Sequence, residues 1–305
     1  MQAAREKTDD GSKYRCVVTF YHDIEQNIDS SADVDRCRDA VNELLKIEKK
    51  HGIAATYNIV GKLYKEQPGM IRRIIDSGGE VAFHSFNHQN DWKPAYYGNE
   101  VRLCREASPL PTGYRSPRSQ WNLSTLKALE KFNFIWSAES DPHGEPYLIR
   151  DRLIRLPISQ DDWILYKRKI PFKDWRQQFM KGIGRRNYYA VGTHDYILSE
   201  GEDFIDNWEK LIEGAVESNI YTVSFMQGAD LYMNYLNSKN RGNKTEDLSP
   251  LFRDYRKRSD DDKHVKLWET YPLERINFQM DEPGFPILRN SMSLLTRRIK
   301  KGLSR

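Results

Sequence analysis

From residue 15 onward, short β-branched apolar runs alternate with amphipathic stretches, and this alternation restricts the possible folds more than any other feature of the chain. Residues 15–21 read as a first strand. Ser30-Ser31-Ala32-Asp33 supplies helix caps, and Val34, Cys37, Val41, Leu44, Leu45 and Ile47 then trace a helical stripe as far as His51-Gly52. Residues 53–60 form a second strand, broken at Gly61. Pro68 opens a helix through Met70, Ile71, Ile74 and Ile75, and residues 80–83 form a third strand. Helices of about ten residues or more between consecutive strands require parallel pairing with right-handed crossovers. Downstream, helices are expected at 123–132, 172–182 and 204–218, and strands at 134–136, 153–158, 188–191 and 220–225. About seven such units fit an α/β fold, a parallel barrel or a deformed version of one, with functional side chains at the carboxyl ends of the strands.

Chemically capable residues lie at those ends. Asp23, Glu25, His84, Arg115, Asp161 and His194 each stand at or just past a predicted strand end. In His84-Ser85-Phe86-Asn87-His88, two imidazoles four positions apart can converge on one point from a tight loop or a helical turn. Two His and one carboxylate hold a divalent metal while leaving a coordination position open. The carboxylate is expected from the segment Val17 to Glu25, which begins apolar and ends in acids. An isolated HxxxH pair is more often structural, so the shared position at strand ends carries the argument.

The 305 residues can bury one large core or two modest ones. A net charge of +4, with acids and bases interspersed, argues against a dedicated nucleic-acid binder. Seven Trp and seventeen Tyr suit sugar-stacking clefts and ordinary cores alike. Cys16, Cys37 and Cys104 are too scattered for a disulfide framework or a CxxC metal site. Residues 1–13 are polar, without a signal-peptide core, and are expected to be disordered. No apolar run reaches transmembrane length, so a cytoplasmic protein is expected. From about residue 239 the composition turns charged and polar, which divides the chain into 1–13, a domain at 14–238 and an extension at 239–305. That extension ends in a short basic amphipathic helix, read as a docked or solvated terminus, with peripheral membrane contact as the alternative.

Taken in order, TFYHDIE (19–25), HSFNH (84–88), GYRSPR (113–118), LPISQDDW (156–163) and GTHD (192–195) resemble the five motifs of the polysaccharide deacetylases, the NodB-type carbohydrate esterase family 4. HGIAATYNIV (51–60) and SGGEVAFHS (77–85) resemble its framework, and the likeness runs from about residue 15 to 236. The resemblance implies a deformed (β/α)7-type barrel, a divalent metal that is usually zinc, and hydrolysis of an acetyl group from an acylated sugar. Where the commonest members carry two adjacent aspartates, this chain has Tyr21 and His22, closer to a subgroup with Asp-x-Asp two positions later. On that alignment Asp23 is the general base, and Glu25 joins His84 and His88 as the metal carboxylate. Asp23 or His22 as the third ligand stays open.

Arg115 resembles the arginine that pairs with the base, and His194 the general acid. Asp161 or Asp162 is expected to tune His194 or to contact substrate hydroxyls, with Trp163 and Tyr114 on the substrate side. Trp92, Trp121 and Trp163 are candidate sugar platforms. The implied substrate is an acetylated cell-surface polysaccharide or a lipid-linked or nucleotide-linked precursor. A non-sugar amide, as in allantoinase-like members, and a non-catalytic carbohydrate binder are the alternatives.

Overall fold

The computed structural model describes residues 16–28, 30–88, 94–140, 144–149, 153–163, 166 and 169–241. Residues 1–13, and the extension from 242 onward, lie outside them. Strand β1 (Val17–Ile24) is buried along its whole length. It pairs in parallel with β2 (Ala55–Ile59) and β9 (Tyr188–His194), and at its start with β10 (Tyr221–Thr222). From β2 the parallel ladder continues through β3 (Glu80–Phe83), β4 (Gly113–Arg115) and β5 (Trp136–Ser140) to β7 (Leu153–Ile158). Strand β6 (Tyr147–Ile149) lies antiparallel on the outer side of β7. The chain of β7 then passes through Ser159 into β8 (Gln160–Asp161), which pairs with β9. Ser159 N–H donates to the Ala190 carbonyl at 2.9 Å across this junction. One stretch of chain therefore leaves β5 and joins β9, and the sheet closes into the deformed (β/α)7 barrel.

Alternation along β1 sorts its side chains. Val17 and Tyr21 belong to the apolar interior of the ring, with Ala82, Trp136, Ala138, Leu156 and Ala190. Val18, Phe20 and Ile24 face the helix layer. That layer comprises α1 (Val34–His51), α2 (Leu63–Glu66), α3 (Pro68–Asp76), α4 (Pro94–Ala107), α5 (Leu123–Lys131), α6 (Phe172–Ile183), α7 (Asp195–Leu198) and α8 (Glu202–Glu217). Asp33 caps α1 by accepting from the N–H groups of Asp35 and Arg36, and Gly52 ends it at φ +64°.

At the amino ends of the strands, α9 (Phe225–Arg241) sends Phe225, Ala229, Tyr232 and Tyr235 into the inner cluster and closes the floor. Half-buried Glu80 ties that floor together, accepting from Thr56 Oγ1 (2.7 Å), Trp136 Nε1 (3.0 Å) and Met226 N–H (2.9 Å).

Three expectations are corrected. The strand expected at 220–225 shrinks to two paired residues, because Phe225 already opens α9. The strand expected at 134–136 lies at 136–140, since Phe132 to Phe134 complete the turn after α5. Helices α4 and α9 had not been anticipated. Among the described residues no helix is long and apolar enough to cross a membrane.

Candidate active site

The carboxyl ends of β1, β3, β4 and β9 deliver their side chains to one buried cluster. Asp23, inward-facing at the end of β1, accepts from Arg115 Nε at 2.9 and 2.7 Å and from Asn58 Nδ2 at 2.9 Å. Burial would raise its carboxyl, but Arg115, and after it His84 and His194, hold it below the ordinary aspartate range. Glu25, just past the strand, lies 3.3 Å from His84 Nε2 and 3.1 Å from His88 Nε2. Burial acts to raise Glu25 as well; His88 and His84 overcome it and keep the carboxylate well below its usual value. His84 Nδ1 donates to the Arg115 carbonyl at 3.1 Å, which leaves Nε2 turned toward Glu25. Burial lowers the His84 imidazole, favouring its neutral, ligand-competent form.

His194, the last residue of β9, is opposite Asp23 in the β1–β9 register, and its Nε2 lies 3.6 Å from Asp23 Oδ2. Asp162 grips it twice, accepting from His194 N–H at 3.0 Å and from Nδ1 at 2.6 Å. Burial opposes charge on this imidazole, but Asp162 reverses the balance and pushes it up to about 10. Asp161 accepts from the Trp163 N–H at 3.1 Å and lies 3.8 Å from Arg115 Nη2. Burial raises its carboxyl to about 6.

The fit to a divalent metal can be judged from the donors. Glu25, His84 and His88 offer one carboxylate oxygen and two imidazole nitrogens, all within 4.8 Å of one another and all buried. Asp23, Glu25 and His194 also approach one another. However, both Asp23 oxygens are occupied by Arg115 and Asn58, and His194 Nδ1 is committed to Asp162. The first group is therefore the better cation site. Asp23, Asp161 and Asp162 surround it and outnumber the cationic Arg115 and His194, which suits a cation further.

Three expected residues are corrected. His22 faces the opposite side of β1, where it lies 2.7 Å from Glu48 Oε1 on α1 and 2.8 Å from Thr193 Oγ1. The pleat that turns Asp23 inward turns its neighbour outward, so His22 is no ligand. Tyr114 is excluded in the same way: it alternates with Arg115 and packs edge-on against Phe134 in the helix-facing core. Trp121 is buried beneath the Arg155 guanidinium, 4.4 Å above its ring, and offers no open platform. Trp163 stays 44% exposed and does; Trp92 lies outside the described residues.

Asn58 and Asp195 went unrecognised in the sequence. The signal for Asn58 was a polar residue inside an otherwise apolar strand. Asp195 accepts from the N–H groups of Glu25 (3.0 Å) and Gln26 (3.0 Å) and so fixes the turn that carries the candidate ligand Glu25. Its position directly after His194 was the only hint.

Residues 24–135 match the family model described as polysaccharide deacetylase. A chitooligosaccharide deacetylase of Bradyrhizobium sp. (strain ANU 289) is 29% identical over 123 residues, covering 37% of this chain and 55% of that protein. A peptidoglycan deacetylase of Helicobacter pylori is 26% identical over 152 residues, covering 47% and 49% respectively. The chain thus spans about half the length of these curated relatives. A crystal structure assigned as a polysaccharide deacetylase from Mycobacterium smegmatis superposes with a TM-score of 0.60 at 19% identity, over 80% of this chain and 96% of that one. That likeness speaks for the fold. The matched segment runs from the end of β1 to the residue before β5 and includes Glu25, His84, His88 and Arg115. Within residues 24–135 the chain is similar to the polysaccharide deacetylase family, and the barrel of the superposed structure is the same fold.

Proposed function

We propose that this protein is a metal-dependent deacetylase that hydrolyses the N-acetyl group of an acetylated sugar, releasing acetate and leaving a free amine. The observation that carries the reading is the convergence of Glu25, His84 and His88 on one point, with Asp23 and His194 beside it. The donor set suits zinc, held by those three side chains with room for a further ligand. When bound, such an ion supplies Lewis acidity toward an acyl oxygen and toward water.

The chain's own residues supply the proton transfers. Asp23, kept ionised by Arg115 and aimed by Asn58, accepts the proton of the attacking water. His194, kept protonated by Asp162, carries its available proton on Nε2, the nitrogen nearer Asp23. Delivery of that proton to the departing nitrogen turns a poor leaving group into a neutral amine. Asp23 and His194 are paired positions on adjacent strands, so acceptor and donor share one rigid frame. Trp163 offers an aromatic face beside Asp161 and Asp162 for stacking on a sugar ring. Two relatives are named for chitooligosaccharide and peptidoglycan, which sets the first substrates to try.

The test is acetate release from chitooligosaccharides, peptidoglycan fragments, and nucleotide-linked and lipid-linked N-acetyl sugars. Each is assayed with added zinc and after treatment with a chelator. Acetate that appears with zinc and disappears with the chelator is the expected result. Release of acid only from a non-sugar amide would move the protein to that reaction. Zinc-loaded protein that binds acetylated sugar and releases no acid would make it a binder.

A further inference from the structure

The segment His84–His88 carries two of the proposed ligands through an unfavourable backbone path. Ser85 has φ +55° and His88 φ +56°, left-handed conformations that a side chain with a Cβ rarely adopts. Such residues persist only where their surroundings over-determine them. On one side, Gly61 N–H donates to the Ser85 carbonyl at 2.7 Å and Lys62 N–H to the Phe86 carbonyl at 3.2 Å. Gly61 is required there, because a Cβ would stand 2.8 Å from the Phe86 ring. On the other side, the N–H groups of Phe86 and Asn87 point away from the barrel toward α4.

Both are met by a single carboxylate. Glu100, 4% exposed on α4, accepts from Phe86 N–H at 3.0 Å and from Asn87 N–H at 2.6 Å on one oxygen. Its other oxygen accepts from Asn87 Nδ2 at 2.9 Å. Ser85 Oγ accepts from His88 N–H at 2.9 Å and completes the turn. The peptides on either side of Phe86 are thus held from α4, whereas the chain at His84 is held from β2, where His84 N–H donates to the Ile59 carbonyl at 2.9 Å.

We infer that Glu100 is a positioning residue for the metal site: it reaches no proposed ligand side chain, and fixes the loop so that His84 and His88 face Glu25 before any ion arrives. A loop already ordered in the metal-free protein loses little freedom on binding, which is how preorganisation becomes affinity. The inference rests on the metal site proposed above.

The experiment measures zinc affinity, by competition with a chromogenic chelator, and the melting temperature of the metal-free protein. The proteins compared are wild type, His84→Ala, Glu100→Ala, Glu100→Asp and Glu100→Gln. Wild type binds and His84→Ala does not. Glu100→Ala binds about 10- to 100-fold more weakly, the range for lost support of a ligand residue. Glu100→Asp, one methylene short of both N–H groups, shifts in the same direction and serves if the alanine variant does not fold. Glu100→Gln stays near wild type, since its carbonyl oxygen takes the two N–H groups while Asn87 turns its amide to receive the new NH2. If Glu100→Ala or Glu100→Asp melts lower but binds zinc within about twofold of wild type, Glu100 is merely structural and the inference falls alone. If wild type binds no zinc, or His84→Ala binds as well as wild type, the metal site falls and the inference with it.

Discussion

The His194–Asp162 pair sets the clearest expectation for a single residue. In the proposed reaction His194 acts in its protonated form, which predicts activity below its pKa and loss above it. With Asp162 in place that value stands near 10. In Asp162→Asn the imidazole falls back toward its ordinary value of about 6.5, and two units above that only about 1% of it is protonated. The alkaline limb of the kcat profile should therefore move to lower pH, with the largest loss at alkaline pH and zinc occupancy retained. An alkaline limb that stays in place would remove His194 as the proton donor. At this scale the sequence was readable where chemistry and motif coincide. Asp23, Glu25, His84, His88, Arg115 and His194 all lie in the cluster. His22 and Tyr114 were misread because strand parity decides which neighbour faces inward, and a one-residue shift reverses it. Asn58, Asp195 and Glu100 escaped because each acts by gripping a side chain or backbone far away in sequence.

Among the elements, the β1–β9 pair is the most demanding, since it carries both Asp23 and His194. Gly192 is part of what allows it. A Cβ there would meet the Tyr21 ring at 2.2 Å. That ring cannot swing aside, because it stacks on Phe225 with centroids 5.5 Å apart and its hydroxyl donates to the Gln160 carbonyl at 3.2 Å. Gly192→Ala should thus cost about 1–3 kcal/mol, the usual penalty for overpacking. Chemical denaturation would show this as a lower midpoint, and an unchanged midpoint would mean the strands separate more easily than drawn. The parallel strand–helix alternation was legible because β1, β2, β3 and β7 announce themselves as short apolar runs with amphipathic helices between or beside them. Helix α9 was hidden because Ile220 to Phe225 is apolar enough to read as one strand, although Phe225, Ala229, Tyr232 and Tyr235 keep helical spacing. Helix α4 was hidden for a different reason: it opens at Pro94 and carries Gly98, and its buried positions include Glu100 beside Val101 and Cys104.

Across the whole molecule, the barrel buries more acid than base, and the protonation of these groups should govern stability. Burial raises Asp161 to about 6, and Glu145 and Asp195 each to about 7. Each therefore binds more protons in the folded than in the unfolded chain, and stability falls as pH rises through those windows. His194, raised to about 10, extends the decline, because its stabilisation is complete below its ordinary value and lost toward 10. Asp23 and Glu25, held low, act oppositely and give up stability only in acid below their ordinary values. His84, lowered by burial, also loses stability toward acid. With three raised acids and His194 against it, the metal-free protein should melt progressively lower from about pH 5 to about pH 9. Glu145 isolates the effect. It lies near Cys16, Arg186 and Asn187, at the opposite end of β1 and β9 from Asp23 and His194. Its carboxyl shifts from 4.5 to about 7 mainly through burial, worth at most about 3 kcal/mol across that interval. Glu145→Gln cannot ionise, so its melting temperature should fall less steeply over that interval while zinc binding stays as in wild type. Equal slopes for the two proteins would show that Glu145 ionises as freely in the fold as in the unfolded chain.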